Sequence, residues 1–369
     1  MAEATQTKTT IAIDPVTRIE GHLKAEVVVE NGKVVDAKLT GGMYRGFESI
    51  LRGRHPRDAA QIVQRICGVC PTAHATAASI ALEKASGTAV PSNGRATRNL
   101  ILGANYLQSH ILHFYHLAGQ DFIQGPDTAP FMPRYAKPDL RLPPAINAVG
   151  VDQYVEALEV RAVCHEMVAL FGGRMPHVHG ILAGGAAEIP TKEKLVEYAA
   201  RFKKVRKFVE EKYLPVVYLV GSQYKDLGAF GQGYRNALCV GVFPLDDEGK
   251  EFVFKAGAYQ DGKDMPFDVK RVTEDVKFSW FADSTSGKPF TKGENVLEVD
   301  KKGAYSFVKA PLYNGKPMEV GPLARMWVNN KPISPIGQKL FKEYFGLDVK
   351  NFRDMGEDLA FSLLGRHVA

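Results

Sequence analysis

Cysteine is scarce, with four in 369 residues, and two of those share one Cys-x-x-Cys. So few thiols in so long a chain exclude a disulfide framework and leave chelation or redox chemistry as the expectation for the pair. Long apolar runs are missing too: nothing approaches the roughly 18 residues of a membrane span. Ala2 to Thr10 is polar, with no basic start leading into an apolar stretch, and so does not resemble a secretory signal. Charge of one sign is also in short supply. Lysine plus arginine number 47 and aspartate plus glutamate 41, a formal +6 that is too small and too dispersed to point to nucleic acid. The length suits one large core, two domains, or a piece of something larger.

What is present centres on Arg65-Ile66-Cys67-Gly68-Val69-Cys70-Pro71-Thr72-Ala73-His74. Two thiols three positions apart can hold one soft metal from a tight turn, and Gly68 is expected to let the backbone fold back without a Cβ clash. Arg65 beside them favours thiolate over thiol. The functional reading is half of a metal site; the plainer alternatives are a thioredoxin-like redox pair or two buried thiols. Two cysteines cannot complete a four-coordinate zinc. Cys164 and Cys239 lie in apolar runs where a small hydrophobic cysteine is ordinary. A redox pair therefore competes with a site completed from outside this chain.

In chain order, residues 9 to 14 predict a short strand limited by Pro15. Leu23, Ala25, Val27 and Val29 then alternate with Lys24, Glu26 and Glu30, and Asn31-Gly32 suits a tight turn before Val35, Ala37 and Leu39. This predicts a half-buried β-hairpin, with Arg18, Glu20 and His22 aimed to one side by alternation. Arg45 to Leu51 reads as the start of a short helix, and Asp58 as the cap of one running through Ala59, Ile62, Val63 and Ile66 into the cysteines. That junction puts the thiols where backbone amides can donate to sulfur. Arg95 to Leu117 predicts a largely buried helix with His110, His113 and His116 at i, i+3 spacing, read either as metal or proton-relay groups or as neutral core histidines. Proline-rich 125–144 is expected to be irregular, Val151 to Phe171 helical, and the segment Pro176 to Gly185 a place of close backbone approach. Thr191 caps a further helix.

The resulting fold class is α+β: a mainly helical core bundle with an N-terminal β-hairpin and a β-rich peripheral region. The regions are 9–40 (hairpin), 41–230 (helical core with the Cys-x-x-Cys elbow), 231–320 (β-rich) and 321–369, where a helix from Ile336 to Phe345 and another from Phe352 to Leu364 return to the helical core.

Three blocks, Arg18-Ile19-Glu20-Gly21-His22, Arg65 to His74 and Gly321-Pro322-Leu323-Ala324-Arg325, together with His110 to Leu117, occur in order and resemble the large subunit of nickel–iron hydrogenases. The likeness is nearest the uptake-type enzymes and their nickel–iron–selenium subgroup and covers essentially the whole chain. It implies the nickel-dependent hydrogenase large-subunit fold, one incomplete domain over 1–369, and reversible heterolytic cleavage of H2. By this resemblance Cys67 is a terminal ligand of nickel and Cys70 bridges nickel and iron. The iron carries carbon monoxide and cyanide installed by maturation proteins. Glu20 transfers the proton, Glu48 binds Mg2+, and Arg65 and His74 support the cluster by hydrogen bonds. His22, His110, His113 and His116 are weaker proton-relay candidates. The resemblance further implies an iron–sulfur small subunit as partner, and export, if any, on that partner's signal to a periplasmic or membrane-associated location, with a cytoplasmic one as the other option.

The family's second cysteine pair, or its selenocysteine variant, has no counterpart among these residues. The readings are a fragment of a longer product, which the ordered blocks favour, a separate ligand-bearing C-terminal peptide, or a degenerate relative. The competing functions are a non-hydrogenase scaffold subunit of a redox complex and a zinc or dithiol protein.

Overall fold

The computed structural model describes residues 8–125, 139–247 and 249–369. The chain forms two compact units, each built from two separated stretches: Met1–Arg52 with Asp268–Met318, and Gly53–Phe267 with Glu319–Ala369. The irregular connection expected after Gly125 falls mostly outside the described residues.

In the first unit β1 (Lys8–Ile13), β2 (Leu23–Glu30) and β3 (Lys33–Gly41) make an antiparallel sheet in that order. The predicted hairpin is thus β2 and β3, with the strand before Pro15 added at its edge. Asn31 and Gly32 both take positive φ, 52° and 75°, as a two-residue turn between twisted strands requires. Pairing puts Ile13, Ala25 and Leu39 side by side on one apolar face. That face is less covered than half-buried alternation predicts: Ile13 is 52% and Leu39 62% exposed.

After α1 (Phe47–Leu51) the chain leaves the unit and re-enters it at Asp268. The returning stretch pairs Val272–Asp275 with Ala310–Tyr313. It also grips the end of β3: Ser306 Oγ accepts from Gly41 N at 3.1 Å and Phe307 N donates to Gly41 O at 2.9 Å. The Tyr44 ring packs 5.5 Å from Phe307.

The second unit is the helical body. It runs through α2 (Ala59–Ile62), a 3-10 turn over Val63–Ile66, α3 (Pro71–Ser86), α4 (Ser92–Ile111), α5 (Pro144–Gly172), α6 (Lys192–Phe208) and α7 (Leu214–Gln223). Fully buried Ile101 and Ala104 of α4 share one core with Met167 and Phe171 of α5 and Val205 of α6. Thr191 caps α6 as its sequence position predicts, Oγ1 accepting from Lys194 N at 3.4 Å. Asp58 does not cap α2 with its side chain. Instead His55 caps the preceding 3-10 turn, Nδ1 accepting from Arg57 N at 3.3 Å.

What the glycine-rich segment approaches closely is the chain itself. Gly185 has φ +123°, and a Cβ there would lie 2.7 Å from Gly94 Cα in α4; one on Gly180 would lie 2.5 Å from Phe171 O. Only glycine fits where backbone meets backbone at that range.

The strongest change of composition, about 231 to 320, spreads its short strands over both units. Ala237–Cys239, Gly257–Gln260 and Lys263–Met265 form a sheet in the second, whereas those after Asp268 belong to the first. Beyond Glu319, α8 (Pro322–Asn329) and α9 (Pro335–Phe345) pack Leu323, Trp327 and Phe341 into a second cluster with Tyr218 and Phe361. The helix expected from Phe352 to Leu364 is broken. A 3-10 turn (Phe352–Met355), α10 (Glu357–Ala360) and α11 (Leu363–Val368) replace it, with Gly356 at φ 81° between the first two.

Candidate metal centre

The two neighbouring cysteines sit where one helix ends and another begins. Cys67 leaves the 3-10 turn in an extended conformation, and Cys70 occupies the N-cap of α3 with Pro71 as its first residue. The positive end of the α3 dipole lies beside the sulfurs, although Pro71 contributes no N–H to it and Ala73 N donates to Cys70 O at 3.1 Å. Neither cysteine is in a disulfide, and both are half-buried. Cys70 N donates to Cys67 Sγ at 3.2 Å, the amide-to-sulfur bond expected at this junction. One turn into α3, His74 Nε2 lies 3.6 Å from Cys70 Sγ. Burial lowers the His74 pKa and keeps its imidazole neutral, able to donate one N–H.

Gly68 does not play the steric part expected of it. Its φ is not positive, and a Cβ there would meet nothing within 4 Å. The elbow is held by two fully buried glutamines instead. Gln64 Nε2 donates to Ala60 O and to Val178 O, both at 2.9 Å, tying the entry of the elbow to the glycine-rich segment. Gln108 of α4 donates from Nε2 to Val69 O at 2.9 Å, in the middle of the Cys-x-x-Cys. Its Oε1 accepts from Arg161 Nε at 3.1 Å and lies 3.4 Å from His165 Nε2, both on α5. Neither glutamine is singled out by spacing. The available signal was a polar side chain inside the buried stripe of α4, where Ile101, Ala104, Gln108 and Ile111 all face the interior.

The remaining sequence-predicted residues fall elsewhere. Arg65 Nη1 turns back along its own helix to Gln61 O at 2.6 Å, and its charge adds to burial in lowering the pKa of His177. Arg18, Glu20 and His22 do not alternate along a strand, because residues 17–21 form a bend with Arg18 at φ 62° and Gly21 at 103°. Glu20 and His22 are exposed. Glu48 is exposed in the first turn of α1. These four belong to the first unit and the cysteines to the second.

The i, i+3 spacing of the three histidines is not a shared face. From Leu112 to Ala118 the helix widens into π geometry, and each imidazole meets its own surroundings. Burial, with the Arg325 charge next in order, pulls His110 down to about 4. His116 Nε2 lies 3.1 Å from Tyr154 O. His113 is exposed, its ring 5.9 Å from that of His367. Of the other two thiols, buried Cys164 is pushed up to about 12 by desolvation and stays protonated, and Cys239 is buried in a strand.

Among the described residues no three or more His, Cys, Asp or Glu side chains gather as they would around a metal ion. The elbow offers two sulfur donors, each with a hydrogen-bond partner suited to thiolate. This fits a soft transition metal whose remaining ligands lie outside the set.

The chain matches the family model described as nickel-dependent hydrogenase over residues 45–128 and 121–369, and a HoxL-like model over 10–40. It is 60% identical over 370 residues to the periplasmic [NiFeSe] hydrogenase large subunit of Desulfomicrobium baculatum, covering 98% of this chain and 72% of that protein. To the hydrogenase-2 large chain of Escherichia coli K12 it is 33% identical over 383 residues, covering 86% and 67%. Among solved structures it is similar to the oxidised, as-isolated Ni-Fe-Se hydrogenase from D. vulgaris Hildenborough, with TM-score 0.95 and 70% identity over 98% of this chain and 75% of that one.

Proposed function

Because the chain belongs to the nickel-dependent hydrogenase family, we propose that it is the catalytic large subunit of a [NiFeSe]-type hydrogenase that interconverts H2 with protons and electrons. The observation that carries this reading is the Cys67–Cys70 elbow: two cysteines outside any disulfide at the start of a helix, one sulfur bonded by an amide and the other facing His74.

Cys67 would hold nickel, and Cys70 would be the ligand shared by nickel and iron. When bound, the nickel–iron centre, whose iron carries carbon monoxide and cyanide, supplies heterolytic cleavage of H2. The chain's own residues do the rest. The Cys70 amide donates to the Cys67 sulfur and lowers its electron density, and His74 Nε2 faces the Cys70 sulfur. Glu20 would take the proton at its carboxylate, for which a group that ionises reversibly is apt, and Glu48 would bind Mg2+. The 369 residues contain one cysteine pair, so the remaining sulfur or selenium ligands come from polypeptide beyond these residues or from a separate peptide. A small subunit with iron–sulfur clusters would take up the electrons, and maturation proteins would load the metals. We assign it to the periplasm, as the Desulfomicrobium relative's name states for that protein. No helix among the described residues is long and apolar enough to cross a membrane.

The test is metal content and infrared absorption of the complex purified with its small subunit after expression with a competent maturation system. Nickel, iron and bands from metal-bound carbon monoxide and cyanide are expected. Their absence from fully assembled protein overturns the proposal in favour of a scaffold subunit without metals.

A further inference from the structure

We propose that Gln108 is a positioning residue that clamps the single peptide group whose N–H bonds the Cys67 sulfur. This deepens the reading of Cys67 as a metal ligand and rests on it.

The argument is one of shared atoms. Gln108 Nε2 donates to Val69 O at 2.9 Å, and Cys70 N donates to Cys67 Sγ at 3.2 Å. The Val69 carbonyl and the Cys70 N–H are the two ends of one planar trans peptide. Its oxygen is held from α4 on one side while its hydrogen points to sulfur on the other. Rotating this plane breaks both bonds together. Hydrogen bonding at the carbonyl also polarises the peptide and strengthens the N–H as a donor.

The clamp is itself anchored. Gln108 is 0% exposed, so its amide has few alternatives to the partners present. Oε1 accepts from Arg161 Nε and faces His165 Nε2, one turn further along α5. The second Nε2 contact, to Ser109 Oγ at 2.8 Å, completes its donors. A fixed cation on α5 therefore orients an amide on α4, which orients a peptide at the sulfur ligand. The Gln64 bonds secure the elbow's entry but do not touch this peptide.

The test uses the full 369-residue chain without metals, with amide hydrogen exchange read at single residues. Gln108→Leu removes both ends of the clamp. Cys70 N–H is expected to exchange about ten-fold faster, the size of one net hydrogen bond, while Ala73 N–H, bonded to Cys70 O at 3.1 Å in the first turn of α3, changes less than two-fold. A general loosening accelerates both amides and overturns the proposal; so does an unchanged Cys70.

Arg161→Met is the milder companion, at a half-buried position, for the case in which loss of Gln108 prevents folding. It should speed Cys70 alone by a smaller factor; no change, or equal change at Ala73, counts against the clamp. A second arm measures nickel retained per protein in the assembled complex, expected to fall in Gln108→Leu. Nickel-free wild-type complex with selective exchange at Cys70 would remove the hydrogenase reading and leave the clamp standing. Nickel-loaded wild type with unselective exchange would do the reverse.

Discussion

Cys67 and Cys70 are inequivalent although they share one turn: the Cys67 sulfur accepts a backbone N–H at 3.2 Å, and the Cys70 sulfur faces His74 Nε2 at 3.6 Å. One is supported by peptide that cannot titrate, the other by an imidazole on the next turn of α3.

Serine substitutions should separate the two. Cys70→Ser removes the ligand proposed to be shared, and both nickel and iron are expected to be lost. Cys67→Ser is expected to lose nickel while retaining part of the iron. Elemental analysis of the purified complex, metal per polypeptide, reads both. Equal loss of both metals in both variants would contradict the assignment of the shared sulfur.

Glu20→Gln keeps size and polarity but removes the proton acceptor. Metal content is expected to match the wild type, while hydrogen–deuterium exchange activity falls by about 10²-fold or more, within the span usual for a general base. Should the lost activity follow lost metal in proportion, Glu20 acts on assembly and its proposed proton role is wrong.

The Arg98–Glu83 pair is almost fully buried, 6% and 8% exposed. Arg98 also donates to Leu182 O at 2.9 Å, and Glu83 accepts from Gly184 N at 2.8 Å, so the pair pins the glycine-rich segment to α3 and α4. Arg98→Met strands a carboxylate in the interior. Urea unfolding should show a loss of about 3–5 kcal/mol, the usual cost of breaking one side of a buried pair.

His110, His165 and His367 are each pulled down to about 4, with burial as the largest cause. Unfolded, an imidazole titrates near 6.5. Between those values the unfolded chain binds more protons than the folded one, so stability rises with pH. The contribution is complete above about 6.5 and is lost as pH falls towards 4. The urea midpoint should therefore drop between about pH 7.5 and pH 5, and His367→Gln should shrink that drop. A midpoint flat across the window would show that these imidazoles are not held neutral by the fold.

Features fixed by local backbone chemistry were readable in the sequence. Asn31-Gly32 takes positive φ at both positions, as residues that tolerate the left-handed region should. Thr191 caps its helix, and the elbow's amide-to-sulfur bond lies where the helix junction put it.

What escaped depends on distant or cooperative contacts. Gln108 and Gln64 reach carbonyls 39 and 114 residues away, and no periodicity encodes such partners. The widening of the helix after Ile111 has no proline or glycine to announce it. Arg18 at positive φ turned an apparent strand into a bend. The family itself was recognisable from its ordered blocks, because those blocks are long and specific.

The first unit's two-part construction imposes an order on synthesis. Gly41, at the end of the sheet that follows Glu20, waits for Ser306 and Phe307 to emerge before its N–H and C=O find their partners. Until then that sheet offers its open apolar strands to whatever else is near the ribosome. A nascent chain halted before Asp268 would carry both proposed sulfur ligands and both proposed carboxylates, yet would hold the latter on an unfinished scaffold.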